Sequence, residues 1–260
     1  MSNKDIKIFI VGIDGKMGRT VCSRAEFFDG FCVAGGFDTI PDMDFKVFTD
    51  VKSVDIDYDV VVDFSRPESL ETIIALTAKS PRPVVLATTG YSDKELVKIK
   101  NLAKKIPVFM SGNMSWGIHV MQKLVSEAVK NLWDSFDVEI IEKHHNQKVD
   151  APSGTAKMIA ETVKASATTC RGCAQDQPPV LKYGREGVDA RRIAGDVTLH
   201  AVRGGTIVGE HEVIFAGDDE IITITHSALS RTIFADGVLR AAKFLISKAP
   251  NLYTMQDMLV

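Results

Sequence analysis

Long apolar runs are missing from this 260-residue chain, and none approaches the roughly 20 residues that a membrane-spanning helix needs. Long basic runs are missing too. With a formal charge of −3, this argues against nucleic acid as a partner and against an electrostatic membrane anchor. Cysteine is scarce, four in all, and only Cys170 and Cys173 have C-x-x-C spacing. No second C-x-x-C and no thioredoxin-like context accompany them, so a plain loop is expected in place of a zinc or redox site. Cys22 and Cys32 lie in apolar surroundings, where a free thiol behaves as a small hydrophobe. The opening MSNKDIKIFIVG runs from apolar residues straight into glycines, unlike a signal peptide. Internal repeats and low-complexity tracts are also absent. What is there is a globular composition, long enough for one large or two modest domains. The expectation is a cytoplasmic enzyme.

The first half of the chain alternates two kinds of pattern. Residues 4–11, 31–37, 58–64, 84–88 and 107–110 read as buried strands. Met17, Val21, Ala25 and Phe28 recur at helical spacing, and further helices are expected at 67–79 and 93–105. The second of these opens on a capping box, Ser92 with Glu95. Such alternation predicts a parallel sheet with helices on both faces.

After Asn113 the pattern changes. A helix at 116–132 leads to a strand at 136–142, a segment with two histidines, and a helix from 153 to about 167. Residues 168–189 are polar, with Gly, Pro and Cys, and read as a long loop. Period-two strands follow at 196–203, 206–215 and 220–227, joined by turns at Gly204-Gly205 and 217–219. Antiparallel strands of this kind predict an α+β domain. A last helix at 233–249 is expected to return to the first domain.

Gly12-x-x-Gly15-x-x-Gly18 follows the first strand and opens a helix. Its glycines permit a tight turn and the close approach of a pyrophosphate to the helix N-terminus. The residues of that turn, Gly12, Ile13, Asp14, Gly15, Lys16 and Met17, are candidates for cofactor contact. Asp38, twenty residues after Gly18 at the end of the second strand, can accept hydrogen bonds from the adenosine ribose hydroxyls. A carboxylate there repels a 2′-phosphate, and Thr39 follows it where an arginine would hold one. NADH is therefore expected to be used at least as well as NADPH, with Lys16 and Arg19 near enough to soften the preference. Ala87, Thr88 and Thr89 end the fourth strand, and Ser111, Gly112, Asn113 and Met114 end the fifth, where open α/β sheets place ligands.

The run from Glu142 to Ala156 carries the chemistry. His144, His145, Lys148 and Asp150 crowd the approach to a helix that Ser153 can cap, leaving the N–H groups of Gly154 and Thr155 for an anion. A group that titrates near neutrality beside a fixed positive charge suits a small carboxylated molecule that gains or loses a proton. Paired histidines can hold a metal, yet neither a carboxylate-rich nor an H-x-E pattern accompanies them, so no metal is expected. His119, His200, His211 and His226 read as structural, and the Lys182–Arg185 segment as a solvated loop. Arg203 and Arg231 have two readings, substrate contact or subunit interface.

His144-His145-x-x-Lys148-x-Asp150-Ala-Pro-Ser-Gly-Thr155 closely resembles the signature of the bacterial dihydrodipicolinate reductase family. The glycine loop with Met17, Asp63-Phe-Ser-Arg-Pro67, Thr88-Thr89-Gly90, Gly204 to Glu210, and Ser230-Arg231 also look like that family's landmarks and occur in its order. The resemblance implies an α/β fold: a Rossmann-type parallel-sheet dinucleotide domain, residues 1–114 with 228–260, and an α+β domain for substrate binding and oligomerisation, residues 115–227. It implies reduction of a cyclic dicarboxylate, 4-hydroxy-tetrahydrodipicolinate, to tetrahydrodipicolinate on the lysine and diaminopimelate pathway, by NADH or NADPH, in a homotetramer. Carried over residue by residue, His144 is the proton donor, Lys148 the second catalytic group, and His145, Gly154 and Thr155 are substrate contacts. Cofactor contacts fall on Gly12 to Met17, Asp38, Ala87 to Thr89 and Ser111 to Met114. The chain departs from many members in having Ala87 for Gly and in the pair Asp38-Thr39, where an acidic residue is usually followed by a basic one. Another two-domain nicotinamide-dependent dehydrogenase would explain the glycine loop but not the His144–Thr155 run. A dinucleotide-sensing regulator would need a DNA-binding element or basic face, and neither is present.

Overall fold

The computed structural model describes residues 5–39, 42, 44–169 and 178–259, which form two compact units, Met1–Trp116 with Arg231–Val260, and Gly117–Ser230. Cys170 and Cys173 fall outside the described residues.

The first unit is built on β1 (Ile6–Val11), α1 (Lys16–Phe27), β2 (Phe31–Phe37), β3 (Val47–Phe48), β4 (Val60–Asp63), α2 (Leu70–Lys79), β5 (Val84–Leu86), α3 (Asp93–Ala103) and β6 (Pro107–Met110). Its sheet runs β3-β2-β1-β4-β5-β6 and ends on a seventh strand near the C-terminus, with every pairing parallel. Parallel strands are buried on both faces, which is why these read as continuous apolar runs. Alternation along β1 divides the core. Ile8 and Ile10 join the layer under α1, whereas Phe9 and Val11 join the layer under α2 and α3. The strands are shorter than their apolar runs, 58–64 becoming Val60–Asp63 and 84–88 becoming Val84–Leu86, because the flanking residues turn away to form loops. Pro67–Ser69 makes a 3₁₀ turn before α2 in place of its first helical turn.

The second unit contains α4 (Trp116–Leu132), β7 (Asp137–His144), α5 (Gly154–Thr169), β8 (Val180–Tyr183), β9 (Asp196–Arg203), β10 (Gly209–Ala216) and β11 (Ile221–Ala228). After it the chain returns to the first unit as α6 (Thr232–Leu245), which packs against α1, and β12 (Asn251–Tyr253), the seventh strand, on β6. The five-stranded sheet has the order β11-β10-β7-β9-β8. Val138 and Ile140 of β7, Val197 and Leu199 of β9, and Val213 and Phe215 of β10 meet the apolar stripes of α4 and α5 on one face.

Three expectations need correction here. The sheet is mixed: β7 pairs parallel with β9 and antiparallel with β10, so Gly204-Gly205 is no hairpin turn, and β7 lies between the strands it connects. The segment read as a loop contains β8, whose four residues, Val-Leu-Lys-Tyr, are too few to show a clear alternation and which forms because β9 offers it an edge. Finally, β7 runs on through His144, since its backbone continues to pair with Arg203 of β9. No helix among the described residues is long and apolar enough to cross a membrane.

Candidate active site

In the first unit, sheet register carries Val11, Asp63, Leu86 and Met110 to one edge, so the loops after β1, β4, β5 and β6 leave together. That edge lies at the switch point of the strand order, where open α/β sheets bind ligands. Gly12 sits at φ +78°, and a Cβ there would stand 2.8 Å from the Phe64 carbonyl oxygen. At Gly18 a Cβ would lie 2.2 Å from the Gly12 carbonyl oxygen, so only glycine lets α1 start against the loop. Gly15 is the residue before the helix, Lys16 is exposed on its first turn, Met17 is half-buried, and Ile13 is buried. The Asp14 N–H donates to Asp38 Oδ2 at 3.0 Å and the Thr39 N–H to Asp38 Oδ1 at 2.8 Å, which orients the carboxylate at the tip of β2. Arg19 pairs with Asp14 and donates to the Asp42 carbonyl at 2.6 Å. A cleft of about 630 Å³ opens here, with Gly12, Gly15, Asp38, Thr39, Ser65 and Arg66 among its walls.

Along the same edge, the Ala87 N–H donates to the Asp63 carbonyl at 3.0 Å, Thr88 is buried and Thr89 exposed. Ser111 Oγ donates to the Asn113 carbonyl at 2.6 Å, Gly112 is exposed and Met114 is buried. Sequence reasoning gave the anchor of this wall no role beyond that of a family landmark. Asp63, fully buried, accepts from Ser65 and, at 3.1 Å, from the Tyr91 hydroxyl, while Thr88 Oγ1 accepts from the Ser65 N–H at 3.0 Å. Burial raises the Asp63 carboxyl above its ordinary value.

In the second unit, residues two apart on a strand share a face, which sets Glu142 beside His144 at the end of β7. Their side chains meet, with His144 Nδ1 2.6 Å from Glu142 Oε2. Glu142 is fully buried, and Arg203 clamps it from β9 through two bonds of 2.8 Å. The Ser153 N–H adds a third donor, 2.9 Å from Oε1. Burial pushes Glu142 upward, but these bonds outweigh it and hold the carboxyl below its ordinary range. His144 is itself buried and is shifted downward by that burial, with Glu142 opposing the shift and Lys148 and Arg203 adding to it.

The other walls come from β10. The His211 ring stands edge-on to His144 at 5.3 Å between centroids, and its Nε2 lies 3.1 Å from Ser153 Oγ. Burial, reinforced by the neighbouring His144, pushes His211 down to about 4, so it is neutral at neutral pH. A Cβ on Gly209 would come within 3.1 Å of His144 Nε2, so this glycine leaves the nitrogen clear. Ser153 caps α5 as expected, its Oγ accepting from the Ala156 N–H at 3.1 Å.

The structure differs from expectation at the helix entrance. Lys148 is paired with Asp150 at 2.7 Å, and the same carboxylate lies near the Gly154 N–H, expected to be open to an anion. A carboxylate of the chain itself thus takes up a cation, and stands near an N–H, suited to a ligand's carboxylate. Lys148 depresses Asp150 below the usual carboxylate range. His145 and Thr155 are half-buried beside this segment. Arg203, with its two readings, is committed to Glu142 and to the Asp150 carbonyl, 2.6 Å away. Of the histidines read as structural, His211 lies in the site, whereas His200 pairs with Glu139 at 2.7 Å. The missed residues Glu142, Gly209 and His211 had one usable signal among them, the two-residue spacing of Glu142 and His144 on a strand.

Comparison with known proteins accounts for nearly all of the chain. Residues 6–114 match the model of the dihydrodipicolinate reductase N-terminus, and residues 117–259 that of its C-terminus. The chain belongs to the dihydrodipicolinate reductase family. One relative, the 4-hydroxy-tetrahydrodipicolinate reductase of Caldanaerobacter subterraneus subsp. tengcongensis, is 48% identical over 97% of this chain and 98% of its own length. The Clostridium tetani enzyme of the same name is 44% identical over 98% of this chain and 97% of its own. Among solved structures, the dihydrodipicolinate reductase of Paenisporosarcina sp. TG-14, with dipicolinate bound, shares the fold at a TM-score of 0.77. That match is 24% identical and covers 98% of this chain and all of the other.

Proposed function

We infer that the chain reduces 4-hydroxy-tetrahydrodipicolinate to tetrahydrodipicolinate with NAD(P)H, a step of diaminopimelate and lysine biosynthesis. The observation that carries this, beside family membership, is the second-unit cluster: a buried histidine held by a carboxylate, next to a cation and a helix N-terminus suited to a dicarboxylate. The Gly12–Gly18 turn suits a pyrophosphate: Gly12 and Gly18, where a Cβ would meet backbone, permit the tight turn and the close start of α1, and the exposed Gly15 lines the cleft at the helix N-terminus. Gly12 to Met17 and Asp38 are the residues we assign to the adenosine half, and Ala87 to Thr89 and Ser111 to Met114 to the nicotinamide half. When bound, the reduced nicotinamide supplies the hydride.

His144 delivers the proton that the reduced ring requires, from Nε2, the nitrogen not engaged with Glu142. Lys148 and the Gly154 and Thr155 N–H groups take a substrate carboxylate, which displaces Asp150 from Lys148 and Gly154. His145 contacts the substrate from the neighbouring position. Fixing the carboxylates orients the ring, which is where most of the rate gain from positioning arises.

We propose NADH as at least as good a cofactor as NADPH. The cleft walls carry Asp14, Asp38 and Glu68 against the single cation Arg66, an unfavourable balance for a 2′-phosphate. Arg19 is occupied by Asp14. A homotetramer is the assembly we propose, formed through the sheet face that α4 and α5 leave uncovered, where Val202 is 44% exposed and edge residue Ile221 67%. A cytoplasmic location fits an enzyme drawing on reduced pyridine nucleotide.

The test is oxidation of NADH and NADPH followed at 340 nm, with substrate generated in situ by a synthase from pyruvate and aspartate semialdehyde. Oxidation that depends on the synthase is expected, with kcat/KM for NADH equal to or above that for NADPH. NADH binding without any oxidation overturns the reading. His144→Gln should lower kcat about 100-fold or more at near-normal NADH affinity. Lys148→Ala should damage kcat and substrate KM together, and an unchanged KM would remove its carboxylate-binding role.

A further inference from the structure

We propose that Glu142 is a positioning residue for His144: its buried carboxylate, clamped by Arg203 and the Ser153 N–H, holds the proton of the neutral imidazole on Nδ1 and turns Nε2 toward the space that Gly209 keeps clear. The proposal rests on the reading of His144 as proton donor and adds to it the group that makes Nε2 the donating atom.

The geometry leaves Glu142 little freedom. Both oxygens are spoken for, Oε1 by the Ser153 N–H and Arg203, Oε2 by Arg203 and His144 Nδ1. A carboxylate held by a guanidinium accepts and does not donate, so the shared proton with His144 belongs to the imidazole. The rest of the imidazole is boxed in. The His211 ring stands against it, and β9 and β10 both pair with β7 at this level. The backbone of the ring is pinned as well: the Gly204 N–H donates to the His144 carbonyl at 2.9 Å. Such a carboxylate–imidazole pair fixes tautomer and orientation and stabilises the imidazolium after Nε2 is protonated. The charged and titratable groups facing His144 are Glu142 from its own strand, Arg203 from β9, His211 from β10 and Lys148 from the segment before α5. Only Glu142 among them favours the protonated form.

The test begins with the cofactor-free enzyme. Long-range ¹⁵N–¹H correlation of the imidazole nitrogens is expected to show neutral His144 protonated on Nδ1. An Nε2–H tautomer in the wild type would overturn the proposal without any variant having to fold. In Glu142→Gln the Nδ1–H preference should weaken and kcat should fall about 10- to 100-fold while NADH affinity holds. The basic limb of the pH–kcat/KM profile should also move to lower pH, because the group favouring imidazolium is gone. Glu142→Asp, which keeps the charge on a shorter stem, should restore part of the loss. A Glu142→Gln enzyme with the wild-type pH profile would reduce Glu142 to a packing role. If instead His144→Gln retained full kcat, the proton-donor reading would fail while the tautomer result stood.

Discussion

At the residue scale, Gly209 illustrates a role defined wholly by what is absent. Its missing side chain lies 3.1 Å from His144 Nε2, closer than imidazole and methyl carbons pack comfortably. Gly209→Ala should therefore push the ring off Glu142 and lower kcat by about tenfold or more with little change in NADH affinity, since proton-transfer geometry tolerates small displacements poorly. Unchanged kcat in steady-state assays would show that the ring can yield without loss. Asp150 is the complementary case, a side chain filling the position of a ligand. Substrate must exchange for it, and the pairing keeps Lys148 and the first turn of α5 in place meanwhile.

At the element scale, the site depends on two ends meeting, the C-terminus of β7 and the N-terminus of α5. Ser153 joins them with three bonds: its N–H to Glu142, its Oγ from the Ala156 N–H, and its Oγ to His211. Ser153→Ala keeps the first and removes the other two. It should cost about 1 kcal/mol or more of stability, the usual price of a lost helix cap. Denaturant unfolding measures this directly, and a variant as stable as the wild type would mean that another group caps α5. The strand boundaries were mostly legible in apolar runs and period-two alternation. The pairing of β7 with β9 was not, because residues 59 apart, such as Ile141 and His200, are joined only by the sheet. The Gly204-Gly205 turn looked like a hairpin because short glycine connections usually are; here β7 separates the two strands.

At the scale of the whole molecule, the pH response follows from groups brought together from several elements. Burial depresses His144 below its ordinary value despite Glu142. A proton donor is active in its protonated form, so kcat/KM, which reports the free enzyme, should fall as pH rises through that depressed value, beginning below the ordinary imidazole pKa of about 6.5. A bound dicarboxylate favours the imidazolium, so the corresponding limb in kcat should lie at higher pH. Profiles with both limbs at the same pH, above the ordinary value, would contradict the burial seen here. His211 will not contribute a limb near neutrality, since it titrates at about 4.

The features legible along the chain are local or periodic: a parallel sheet from strand–helix alternation, a dinucleotide turn from Gly12, Gly15 and Gly18, and the cap at Ser153. The motif around His144 carried the family because its residues lie within a dozen positions of one another. Tertiary structure alone decided that β7 is central, that Arg203 serves Glu142, and that Gly209 and His211 stand against His144. It also decided that Asp150 pairs with Lys148, although both residues were in view, because the backbone path between them sets where that carboxylate points. Short-range pattern specifies which element a residue joins, whereas the partner across a sheet is selected by the summed burial of whole strands, which no single window of sequence contains.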